Sequence, residues 1–170
     1  MVSMKFILLA LTLGALTVPA AYAQAACRSD AAPYRDFDFW VGTWSDFDVE
    51  NEKNGETTVT LEGRGCLLLE KWTSNNGATG AAMMFYDQDA RNWRRIWRSA
   101  GHQIEATGGR DEDGNMVLVG DATHLASGDT FPIRARWQAQ PEAVIEVSIE
   151  RLDPETDAYS AWAKLVHRPR

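Results

Sequence analysis

Cysteine and histidine are both scarce in this chain, with two of the first and three of the second in 170 residues. No Cys-x-x-Cys pair occurs, and His102, His124 and His167 fall on separate predicted strands or strand ends without ligand spacing, so a zinc centre finds no support. No nucleophile elbow accompanies the plentiful Ser and Thr, which leaves triad hydrolysis without a motif. Lys and Arg number 17 against 24 Asp and Glu, for a net charge of −7. That balance excludes nucleic acid or an anionic membrane as a partner held by bulk electrostatics. No window sustains helical periodicity, and no repeat, low-complexity tract or linker divides the chain. Beyond residue 23 nothing is apolar enough to span a bilayer.

The one strongly apolar stretch lies at the start. Residues 1–23 carry Lys5 as their only charge, then the run Phe6 to Val18, then Ala21-Tyr22-Ala23 as a small-x-small cleavage site. This pattern predicts a secretory signal peptide cleaved near Ala23 and a secreted or periplasmic product. In that oxidising compartment Cys27 and Cys66 are expected to form a disulfide. The bond would tie an N-terminal arm, 24–36, to the third predicted strand, and loop-closure entropy gives it about 4 kcal/mol. Cys27 as a lipid-attachment site is disfavoured, because Gln24 stands where a lipobox takes Leu.

Over 37–170 the pattern is short runs of period-two alternation broken by turn residues, which predicts an all-β fold. The expected strands are 39–50, 56–64, 66–74, 80–86, 92–99, 102–108, 115–122, 130–139, 143–152 and 159–167, enough for a single antiparallel barrel of about ten strands. Asn54-Gly55, Asp113-Gly114 and Gly128-Asp129 are expected to form tight hairpin turns. Asn75-Asn76-Gly77 reads as a longer loop and 87–91 as a polar connection without Gly, while Pro141 and Pro154 fall between strands.

The run Phe37-Asp38-Phe39-Trp40-Val41-Gly42-Thr43-Trp44 leads into the first of these strands. With Gly65 to Trp72, Phe85-Tyr86-Asp87, Arg91-Asn92-Trp93, Trp97 and Gly108-Gly109, this series resembles an uncharacterised family of exported bacterial proteins with a lipocalin-like, or calycin, barrel. The resemblance implies that Trp44 plugs the closed end, with Arg168 or Lys164 from the last strand lying across its ring. It implies no activity. The aromatic-Gly-x-Trp opening is also distantly similar to nitrobindin-type haem barrels, although here Ser45-Asp46-Phe47-Asp48 replaces their Gly-rich continuation.

Trp93, Arg95 and Trp97 alternate and so share one face, as do Glu70 and Trp72 on an earlier strand. If those faces point inward, Glu70, Trp72, Tyr86, Trp93, Arg95 and Trp97 line a ligand cavity. Arg95 then requires an answering charge, either Glu70 or the carboxylate of an amphiphile. Asp46 and Asp48 share the face of Trp44, but the acidic run after them predicts a strand end emerging into solvent. Met83, Met84 and Phe85 read as core, and Glu105 as an acid-base residue only if it lines the cavity. The expected function is binding of a small hydrophobic or amphiphilic, possibly carboxylate, ligand, without a cofactor and without specifying an oligomeric state. The alternatives are an enzyme (hydrolase, isomerase or cyclase) using the same cavity, or haem binding with His167 as axial ligand.

Overall fold

The computed structural model describes residues 32–170. The expected signal peptide, its cleavage site, Cys27 and the arm up to residue 31 lie outside the described residues. Ten strands follow in order: β1 (Gly42–Phe47), β2 (Lys53–Glu62), β3 (Leu67–Ser74), β4 (Thr79–Asp87), β5 (Asn92–Ser99), β6 (His102–Arg110), β7 (Met116–His124), β8 (Thr130–Ala139), β9 (Ile145–Asp153) and β10 (Ala158–Pro169). Each pairs antiparallel with its chain neighbours, and β10 pairs with β1, so the sheet closes into a lipocalin-like up-and-down barrel. Closure removes both sheet edges.

Alternation decides what is inside. In β8 the buried residues are Phe131, Ile133, Ala135 and Trp137, every second position, as the pleat requires. Met84 is fully buried while its neighbour Met83 is exposed. The expectation of a core role for both is corrected by that parity.

The opening segment departs from the expected strand. Asp38–Trp40 form a 3₁₀ turn, with Trp40 N–H donating to Phe37 O at 2.9 Å and Val41 N–H to Asp38 O at 3.0 Å. A strand would alternate Phe37 and Trp40 to opposite faces, whereas three residues per turn bring them to the same side. Both are buried across one end of the barrel, at 0% and 1% exposure. The arm packs over that end: Trp93 Nε1–H donates to Pro33 O at 3.0 Å, Arg110 Nη2 to Asp36 O at 2.8 Å, and Tyr34 meets Tyr86 edge-on at 5.0 Å. Cys66, the residue before β3, belongs to this same end of the barrel.

Asn54-Gly55 is the other correction. Both residues lie inside β2, and the β1–β2 turn is formed earlier, where the Asp48 carboxylate accepts the Glu50 and Glu52 N–H groups. Gly55 serves close approach, because a Cβ there would sit 2.7 Å from Thr73 O. The turns at Gly77, Gly114 and Gly128 take the expected positive φ, and in the Gly-free 87–91 turn Arg91 takes it instead.

Gly108 and Gly120 mark where β6 and β7 approach most tightly. A Cβ on either would lie 2.0 Å from a backbone oxygen of the neighbouring strand, whereas Gly109 has nothing within 4 Å. Gly120→Ala is therefore expected to lower stability by about 1–3 kcal/mol or more, the cost of forced overpacking. Gly109→Ala should stay within about 0.5 kcal/mol of the parent. Urea denaturation of the two variants measures the difference.

Candidate functional site

The far end of the barrel, bounded by the β3–β4, β5–β6, β7–β8 and β9–β10 hairpins, opens onto a cavity of about 190 Å³. Its walls are mainly apolar, with Trp72, Trp97, Trp137, Ile104, Ile149 and Leu165 among them. Trp162 stands at the mouth, edge-on to Phe131 at 5.1 Å and to His102 at 5.4 Å. It reaches this position through an irregularity in β10, where the register with β9 shifts between Ala161 and Ala163. Such a bulge re-aims a side chain, so Trp162 and Ala163, adjacent in sequence, both line the cavity.

At the floor, Arg95 and Glu70 meet. The Arg95 Nη2 donates to both Glu70 oxygens at 3.1 Å, and the guanidinium lies between two indoles, 5.1 Å from the Trp97 ring centre and 5.3 Å from that of Trp137. Trp40 Nε1–H approaches Glu70 Oε2 at 3.4 Å. Both charged residues are buried. Only one guanidinium nitrogen faces Glu70, and among the described residues Arg95 Nε has no hydrogen-bond partner although it is buried.

A second polar pair reaches the cavity from the β1–β10 seam. Asp46 is fully buried, its Oδ2 accepting the Thr57 hydroxyl at 2.7 Å and its Oδ1 lying 2.8 Å from His167 Nδ1. The expectation that this acidic run leaves the barrel thus holds for Asp48 and fails for Asp46. The register explains why: Asp46 stands opposite His167 on the inner face, and the shift in β1–β2 pairing comes only between Asp46 and Phe47. His167 also meets the Trp40 ring edge-on at 4.6 Å.

Of the six expected ligand-binding residues, the structure brings Glu70, Trp72, Arg95 and Trp97 to the cavity. Trp93 and Tyr86 do not reach it. Trp93 points inward but nearer the arm, where it packs edge-on against Phe37 at 5.2 Å, and Tyr86 packs beside it. Trp44 is buried as expected, stacked on Trp40 at 5.5 Å, with its Nε1–H donating to Trp40 O at 3.1 Å. The basic residue across its ring is corrected. Arg168 is opposite Ser45 in the pairing and so faces outward, where its guanidinium covers Phe47 at 4.2 Å, and Lys164 pairs with Glu146 on the outside at 3.0 Å. One step along the strand makes the difference. Glu105 is exposed and accepts a hydrogen bond from Gln103, so it plays no part in the cavity.

Sequence reasoning missed Trp40, Thr57, Trp137, Trp162 and the Asp46–His167 pairing. Trp137 carried a usable signal, since it continues the alternation of Phe131, Ile133 and Ala135. His102 and His124, placed on separate strands from sequence, are cross-strand partners with ring centres 5.1 Å apart. Among the described residues no group of three or more His, Cys, Asp or Glu could hold a metal ion.

Removing one member of a buried ion pair leaves the other uncompensated, at a typical cost of about 3–5 kcal/mol. Arg95→Met is expected to lose that much stability. The double variant Arg95→Met with Glu70→Leu should recover most of the loss, because an apolar pair has no stranded charge. A double-mutant denaturation cycle checks this, and full additivity would show that the two do not act as a pair. The chain matches no protein-family model, and no curated protein matches it, so what the barrel does has to be read from its cavity.

Proposed function

We propose that the protein is an exported binder of small, mainly apolar molecules, held in the open end of the barrel. The carrying observation is the cavity itself, about 190 Å³ with tryptophans 72, 97, 137 and 162 on its wall. An engineered apolar cavity of about 150 Å³ stays dry and takes benzene, so the fitting ligand is about the size of a substituted ring. A small ligand fits with its ring among the indoles and its polar group toward the polar residues of the lining, Arg95, His102 and His167. Because Glu70 already answers Arg95, the ligand need not be anionic, and a neutral molecule is favoured over a carboxylate.

No cofactor enters this reading. A haem macrocycle is several times larger than benzene, and a cavity of about 190 Å³ supports a smaller ligand. Export and the Cys27–Cys66 disulfide belong to the same reading. They are supported by the signal-peptide pattern and by the absence of a free cysteine among the described residues.

Binding is expected to quench tryptophan fluorescence saturably. Toluene and phenylacetone should show Kd values at or below about 1 mM, equivalent to about −4 kcal/mol. Ala163→Phe places a ring in the same space and should abolish quenching while leaving the barrel folded by circular dichroism. Absence of saturable quenching by any ring-sized probe in the folded parent would overturn the reading.

A further inference from the structure

The Asp46–His167 pair is more than a ligand cradle requires. Asp46 is fully buried, and each of its oxygens meets one donor, the Thr57 hydroxyl at 2.7 Å and His167 Nδ1 at 2.8 Å. A carboxylate only accepts hydrogen bonds, so Nδ1 carries a hydrogen, and in the neutral imidazole the lone pair is then on Nε2. His167 lines the cavity, and among the described residues no hydrogen bond to Nε2 is made. The arrangement is a base whose tautomer is set by a carboxylate, itself held by a hydroxyl.

Opposite chemistry lines the same small space. Arg95, which lines the cavity, gives one nitrogen, Nη2, to Glu70, and among the described residues its Nη1 makes no hydrogen bond. A cavity of about 190 Å³ is small enough for one ring-sized molecule to touch both His167 and Arg95. A proton acceptor and an uncommitted cationic donor around one apolar ligand are the two groups that enolisation needs.

We propose that the barrel catalyses proton transfer at the carbon next to the carbonyl of small aryl ketones and related carbonyl compounds, with His167 Nε2 as the base. The C–H bond breaks as Nε2 takes the proton, the electron pair becomes the C=C bond of the enolate, and the charge moves to the carbonyl oxygen, where the Arg95 guanidinium answers it. Asp46 stabilises the imidazolium that forms. The proton on Nε2 exchanges with water entering at the Trp162 mouth and returns to the same carbon, so substrate is regenerated with solvent hydrogen. His167 is the catalytic residue and Asp46 a positioning residue. The proposal rests on the binding reading, because the substrate must first occupy the cavity.

The test is deuterium incorporation into phenylacetone, followed by proton NMR in D2O, with fluorescence binding measured alongside. The parent should accelerate exchange over buffer, and His167→Gln should bind phenylacetone but lose about a hundredfold or more of the rate, the usual scale of general-base catalysis. In Asp46→Asn the Thr57 hydroxyl donates to the amide oxygen and leaves the amide N–H for Nδ1, which puts the ring hydrogen on Nε2. The ¹⁵N signal of Nε2 should then move from the unprotonated to the protonated range as exchange falls, a change that loss of stability alone would not produce. Phenylacetone bound without accelerated exchange would overturn the proposal and leave the binder intact, as would exchange undiminished in His167→Gln. No binding by the folded parent would instead defeat the binding reading itself.

Discussion

A guanidinium enclosed in a barrel must be answered, and the pairing of Arg95 with Glu70 is the constraint around which this interior is arranged. The two come from β5 and β3, so their contact at 3.1 Å spans the strand between them. Trp40 brings its indole N–H to the same carboxylate and thereby links the end-capping 3₁₀ turn to the cavity floor. Two further indoles, Trp97 and Trp137, flank the guanidinium. Such a pair adds little net stability over apolar residues of the same size, because desolvation offsets the Coulomb attraction. What it supplies is polarity in an otherwise apolar chamber.

The seam where β10 meets β1 shows how much a single step of register controls. His167 and Arg168 are adjacent, yet one is 3% exposed and joined to Asp46, while the other lies on the outer surface over Phe47. Had the pairing slipped by one residue, a guanidinium would enter the barrel and the imidazole would leave it. A slip that set Val166 against Asp46 would leave the buried carboxylate without its imidazole partner. Chemistry and register therefore support each other here.

Much of the barrel was legible in the chain because strand alternation and turn chemistry are local. The runs at β5 and β8 have the bounds that alternation predicts, and the shared face of Trp93, Arg95 and Trp97 follows from period two alone. Local rules failed where a residue had two possible uses. Gly55 has a turn-former's identity but is needed for close approach to Thr73. The aromatic run at 37–40 has strand propensity, but a 3₁₀ turn lets Phe37 and Trp40 bury on one side, and burial of two large rings outweighs a propensity worth a fraction of a kcal/mol.

The order of apolar, charged and turn-forming residues was sufficient for an all-β barrel, for the shared face of Trp93, Arg95 and Trp97 and for the need of Arg95 to find a partner if that face is inward, since each follows from side-chain period and from the cost of burying a charge. It was not sufficient to place depth or cross-barrel neighbours. Trp93 and Arg95 share a face, yet only Arg95 reaches the cavity, because the arm and Phe37 occupy the end where Trp93 points. Asp46 and His167 stand 121 positions apart, and nothing local to either predicts that closing the sheet would bring them together. Their contact exists because β10 returns to pair with β1, a long-range closure that aligns two strands residue by residue and so decides which polar groups the cavity receives.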